Sequence, residues 1–128
     1  MSRSFVPTLL ILTMLAVGCG STRPGTDAAA VQTGIASYVA DHLRDRPTAS
    51  GEPYDPEALT AAHRSYPFGT IVRVTNLSNG RQVIVRINDR GPFVSGRIID
   101  VSRRAADALG FVQDGLAQVR VEVLPRHP

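Results

Sequence analysis

Four side chains in this chain have the types that move protons: Glu52, Asp55, His63 and Asp89. Asp89 belongs to Arg86-Ile87-Asn88-Asp89-Arg90-Gly91-Pro92-Phe93. There a run with Val83, Val85 and Ile87 on one face breaks into a loop stiffened by Gly-Pro. A carboxylate at the handover from rigid strand to loop is well placed for catalysis. Glu52-Pro53-Tyr54-Asp55 and then His63 lie upstream. Three acids and a histidine without metal-ligand spacing point to acid–base chemistry, so neither a metal nor a cofactor is expected. No serine sits in a nucleophile elbow, which sets serine hydrolase chemistry aside.

Each residue also has a plainer reading. Asp89 ahead of Gly91 can be an Asx-type turn accepting backbone N–H groups. Asp55 can cap a short helix over Pro56 to Ala62, with proline tolerated in the first turn. Glu52 can be a solvated loop carboxylate, and His63 can sit at that helix's C-terminus, where positive charge is favoured. Asp100, in Arg97-Ile98-Ile99-Asp100-Val101-Ser102, reads as an acceptor for N–H groups at the entrance of the next helix. His42 and His127 have no constellation around them.

The elements that must position these groups are mostly strands, because the apolar period is 2. Thr33 to Val39 forms a first strand; Ile71 to Thr75 and Arg81 to Ile87 alternate, separated by Ser78-Asn79-Gly80. Asn-Gly between alternating runs is a strong hairpin signal. Arg97 to Val101 is a short strand, Ser102 an N-cap, and Arg103 to Leu109 a helix stopped by Gly110. Val119, Val121 and Val123 alternate in a closing strand. Short strands with brief helices predict a mainly β fold closed into a small barrel, which removes edge strands.

The N-terminal part is of another kind. Arg3, an apolar stretch from Phe5 to Val17 and then Gly18-Cys19 read as an export signal over residues 1–18. The stretch is shorter than the roughly 20 residues of a spanning helix. Cys19 is the only cysteine, and its placement after Gly18 resembles a bacterial lipobox, with Ala16 where leucine is usual. On that reading Cys19 is lipidated and anchors the chain in a membrane. Residues 19–32 then form a polar, flexible tether, residues 33–124 the domain and residues 125–128 a tail. The 14 basic residues are all arginine; without Arg3, 13 arginines against 11 acids leave about +2. The arginines are scattered without interleaved aromatics, so nucleic acid is not an expected partner.

Taken together, Thr48-Ala49-Ser50-Gly51-Glu52, Leu59-Thr60-Ala61-Ala62-His63, Pro67-Phe68-Gly69-Thr70, Asn88-Asp89-Arg90-Gly91-Pro92-Phe93 and Arg97-Ile98-Ile99-Asp100-Val101-Ser102 resemble the rare lipoprotein A family. These are septal-ring endolytic lytic transglycosylases of bacterial envelopes, and the resemblance spans about Gly34 to Val123. It implies a six-stranded double-psi β-barrel with short helices. It further implies binding and cleavage of peptidoglycan glycan strands, with a preference for strands without stem peptides. The family's acidic and histidine positions fall on Glu52, Asp55, His63 and Asp89, at offsets of 3, 11 and 37 from Glu52. The segment Tyr38 to Arg46 departs from the family pattern. The separate C-terminal peptidoglycan-binding domain of many relatives is not expected here.

The resemblance implies cleavage of the β-1,4 bond between N-acetylmuramic acid and N-acetylglucosamine, leaving 1,6-anhydro ends. Asp89 is the preferred acid/base and Glu52 its rival, with Asp55 and His63 orienting substrate and Arg90, Tyr54 and Phe93 contacting sugar. The expected location is the bacterial envelope, lipid-anchored and facing the periplasm where there is an outer membrane, with cell-division proteins as possible partners. The competing expectation is a non-catalytic glycan-binding or wall-loosening lipoprotein, whose acids only accept hydrogen bonds from sugar hydroxyls.

Overall fold

A computed structural model describes residues 30–125. The expected signal peptide, Cys19 and most of the tether lie outside those residues. Six strands form a closed barrel in the order β1-β5-β2-β4-β3-β6. They are β1 (Val31–Tyr38), β2 (Thr60–Ala62), β3 (Ile71–Asn76), β4 (Gln82–Asp89), β5 (Arg97–Val101) and β6 (Ala117–Val123). The pairs β1–β5 and β2–β4 are parallel; the other four are antiparallel.

Alternation explains what fills the barrel. Val72 and Val74 of β3, Val83, Val85 and Ile87 of β4, Ile99 and Val101 of β5, and Val119 and Val121 of β6 are all buried. Helix α1 (Arg103–Leu109) adds Ala105, Ala106 and Leu109 to the same core. Ser102 caps it, its hydroxyl accepting from the Ala105 N–H. Gly110 ends it in the left-handed region at φ 75°, which glycine adopts without steric cost. The Asn79-Gly80 turn joins β3 to β4 as a hairpin, with Asn76 N–H donating to the Arg81 carbonyl.

Two sequence expectations change. β1 begins at Val31, so Val31 and Gln32 belong to a strand rather than to the tether. No helix covers Pro56 to Ala62. Asp55 and Glu57 form a tight turn, with Glu57 N–H donating to Asp55 Oδ1, and Thr60 to Ala62 are strand β2. The alanines favour a helix on their own, but β4 and β5 hydrogen-bond this short segment from both sides. The preceding turn is pinned to α1 by Ser102 Oγ donating to the Ala58 carbonyl and Arg104 N–H donating to the Pro56 carbonyl.

Candidate active site

β2 lies between β5 and β4, and its last residue organises the site. Ala62 pairs with Asp100 on one side and with Asp89 on the other. Asp100 in turn pairs with Ser37 of β1. Side chains in register across neighbouring strands share a face. Ser37, Asp100, Ala62 and Asp89 therefore form one row, on the face opposite Ile99, Val101 and the rest of the core. The two carboxylates flank an alanine, so their Cα atoms stand two strand spacings, roughly 9–10 Å, apart and only a methyl group lies between them.

Irregular pairing aims Asp89. Between Ala61↔Ile87 and Ala62↔Asp89 the register skips Asn88. Strict alternation would put Asp89 on the same face as Val83, Val85 and Ile87. The extra residue turns it onto the face of Ala62 instead, a common use of a β-bulge beside a functional site.

The row opens into a groove of about 530 Å³, lined among others by Tyr38, Arg46, Tyr54, Asp89, Phe93, Arg97 and Asp100. Asp89 Oδ1 accepts the backbone N–H groups of Ala49 (2.9 Å) and Arg90 (2.8 Å), which fix it in place. Its turn-like hydrogen bonding and its place in the groove are compatible. Gly91 follows at φ 116°, a conformation that needs glycine. The loop beyond is held by Arg64, whose Nε donates to the Pro92 carbonyl and whose Nη2 donates to that of Val94.

Asp100 is the functional candidate that sequence reasoning misplaced. It does not receive N–H bonds at the helix entrance, where Ser102 alone caps α1. The Ser37 hydroxyl donates to its Oδ1, and it lines the groove. Burial pushes its carboxyl above the usual carboxylate range; Ser37 and Arg97 oppose this, while the nearby charge of Asp89 adds to it. One signal was available: an aspartate between Ile99 and Val101 in a short apolar strand must face away from the core by parity.

The other predicted residues have different surroundings. Glu52 is absent from the groove lining and forms a two-pronged ion pair with Arg86, at 2.7 and 2.9 Å. The Arg86 hydrogen bonds hold its carboxyl below the usual range, so it is not placed to give up a proton. Its clamp does close the loop that carries Ala49, whose N–H holds Asp89. Asp55 is exposed, 3.8 Å from Arg44 and away from the groove. His63 is 3% exposed and both its ring nitrogens are engaged. Nδ1 accepts from the N–H groups of Ser65 and Tyr66, so the proton sits on Nε2, which donates to Gln32 Oε1. Desolvation, helped by Arg90 and Arg64, lowers its pKa to about 4. His63 stacks on Tyr66 and its backbone N–H donates to the Asp89 carbonyl, so it braces the base of the loop that follows Asp89.

Arg90 borders the groove, but its Nη1 donates to the His63 and Tyr66 carbonyls and its guanidinium lies 4.0 Å over the Phe68 ring. It is a staple for the loop. Tyr54 is buried; its hydroxyl donates to the Val39 carbonyl and accepts from the Arg103 N–H, so it supports the groove floor. Phe93 is 80% exposed beside the groove, with its ring face open.

The family model described as lytic transglycolase matches residues 31–121, which takes in the row and every loop just described. The chain belongs to this family. Among its relatives is a probable endolytic peptidoglycan transglycosylase RlpA of Nostoc sp., 62% identical over 95 residues, which are 73% of this chain and 26% of that protein. The endolytic peptidoglycan transglycosylase RlpA of Neisseria meningitidis is 55% identical over 91 residues, 71% of this chain and 38% of that protein. The chain thus spans well under half the length of these curated relatives. Among solved structures, an expansin of Clavibacter michiganensis superposes with a TM-score of 0.59 at 23% identity, covering 77% of this chain and 53% of that one. A Streptomyces papain inhibitor gives 0.59 at 23% identity, covering 74% and 94%. These likenesses establish the fold, a mainly β double-psi barrel, and agree with the family.

Proposed function

We propose that this domain is a peptidoglycan lytic transglycosylase that cuts the β-1,4 bond between N-acetylmuramic acid and N-acetylglucosamine and leaves 1,6-anhydro-muramic ends. The observation that carries this reading is the pair Asp89 and Asp100. They face one groove across Ala62 in unlike surroundings, one held as a hydrogen-bond acceptor and one pushed toward its acid form. A carboxyl biased toward its acid form, with a second, hydrogen-bonded carboxyl across the same groove, suits acid–base cleavage of a glycoside. The relatives named as peptidoglycan transglycosylases supply the substrate class.

In this mechanism the Asp100 carboxyl gives its proton to the glycosidic oxygen. The C1–O bond breaks, and its electron pair leaves with the 4-hydroxyl of N-acetylglucosamine. Asp89 stabilises the positive charge that develops on the muramic ring. The Asp100 carboxylate then takes the proton from the C6 hydroxyl as O6 bonds to C1. The anhydro ring closes, Asp100 is again protonated and no water is consumed. Asp89, the favoured acid/base on sequence grounds, becomes the electrostatic partner. Glu52 and His63 become positioning residues, one holding the loop that fixes Asp89 and the other bracing the start of the next. Phe93 offers a stacking face for a neighbouring sugar.

The reading extends to place: a chain lipidated at Cys19 would hold this groove against the wall from a membrane surface, facing the periplasm where there is an outer membrane. Mass spectrometry of peptidoglycan strands incubated with the full-length chain tests the activity. New 1,6-anhydro-muramic ends, absent with Asp100→Asn, are the expected result. Folded protein that is retained on the wall yet releases no such ends would make this a glycan-binding lipoprotein instead.

A further inference from the structure

The groove carries cations that nothing in the mechanism uses. Most arginines of the barrel are occupied. Arg44, Arg73, Arg86, Arg103 and Arg120 each face an acid, and Arg64 and Arg90 donate to carbonyls. Two that line the groove, Arg46 and Arg97, make no side-chain hydrogen bond or salt bridge among the described residues. Arg97 opens β5 three residues before Asp100, close enough for its charge to act on that carboxyl, and it also borders a second cleft beside His63 and Ser65. A guanidinium with no hydrogen-bonded anion, beside an acid that must be protonated, would be a poor neighbour unless it has an anion of its own to bind. It favours the ionised form of Asp100 and so opposes proton donation.

The substrate supplies such an anion. Every muramic sugar carries a lactyl group on O3, on the same ring as the bond to be cut. In a strand with stem peptides its carboxyl is consumed in an amide; in a stripped strand it is a free carboxylate. A planar guanidinium matches a carboxylate with two parallel hydrogen bonds, a match an amide cannot offer. We propose that Arg97 binds the free lactyl carboxylate of the muramic sugar being cleaved, with Arg46 offering a second such contact along the groove, so that these arginines select stem-peptide-free strands. This rests on the function proposed above and names the residues that would set its substrate preference. Engaging the lactyl carboxylate also offsets the charge of Arg97, which weakens its pull toward the ionised form of Asp100.

Equilibrium binding to the full-length chain tests this without requiring turnover. Two ligands are compared: stem-peptide-free glycan strands, and the same strands with their lactyl carboxyls converted to neutral methylamides. The second ligand removes the charge without adding the bulk of a peptide. The native chain is expected to bind the charged strands about tenfold or more tightly, as for a charge-assisted hydrogen-bonded pair. Arg97→Gln should cut that ratio severalfold, and Arg97→Lys should restore part of it. The Arg97 side chain makes no hydrogen bond or salt bridge among the described residues, so both variants should retain the native circular dichroism. A ratio unchanged in Arg97→Gln, or no preference in the native chain, would overturn the proposal. Absence of bond cleavage with the binding ratio intact would instead count against the proposed activity while supporting the role of Arg97.

Discussion

Two pairs of acids make the most instructive comparison in this molecule. Asp89 and Asp100 are set on neighbouring strands of β2 and look into one groove. Glu52 and Asp55 lie on the loop before β2, where each has an arginine partner and neither lines that groove. All four are carboxylates. What separates them is the row they stand in. A strand row fixes direction and spacing to within a strand pitch, while a loop acid takes whatever cation is nearest. The loop pair is still useful: Glu52, through Arg86, closes the turn whose Ala49 N–H holds Asp89.

Replacing the strand acids should break the function. Asp100→Asn should lower cleavage by ~10³-fold, about 4 kcal/mol of barrier, with strand binding retained. In the native chain the rate should fall on the alkaline side as pH rises through the elevated range of Asp100, because the acid form is lost. An Asn variant within tenfold of the native rate would move the acid elsewhere. Asp89→Asn should cost ~10²-fold, mainly in kcat, since it removes a charge that matters most in the transition state.

His63 sharpens the comparison from the stability side. Its folded pKa, about 4, lies below the ordinary 6.5, so the neutral ring is what the fold favours. That contribution is fully present above pH 6.5 and is lost as pH falls through about 4, on the order of 3 kcal/mol in all. Urea unfolding across this window should show the loss in the native chain and a flatter profile in His63→Gln. Asp100 works in the opposite sense. Its raised value adds stability at low pH that fades as pH rises through the folded value.

The loop acids should matter less. Glu52→Gln breaks an exposed ion pair worth under about 1 kcal/mol to folding, yet it loosens the turn that holds Asp89. A loss of ~10-fold in kcat with little change in KM is expected, and a loss as large as that of Asp100→Asn would return Glu52 to the reacting centre. Asp55→Asn keeps the turn at Glu57 and should change the rate less than about twofold.

Much of this protein was legible in its residues. The alternation of Val72 and Val74, of Val83 to Ile87 and of Val119 and Val121 fixed which faces go inside, because a strand's period of 2 leaves no other choice. Ser102 and Gly110 marked both ends of α1 because capping needs only local chemistry. The motif around Asp89 marked a loop that borders the groove. Three things came only with the tertiary structure. β2 was hidden because its three residues lack alternation and become a strand by being paired on both sides. The partnership of Asp89 with Asp100 was hidden because it depends on strand order and on a bulge at Asn88, which brings residues far apart in sequence to either side of one alanine. The roles of Glu52, His63 and Arg90 were decided by their hydrogen-bond partners: Arg86, Gln32 and two carbonyls take up the groups that sequence had offered to substrate. Residue type sets what a side chain can do; the neighbours that packing supplies determine whether it remains free to do it.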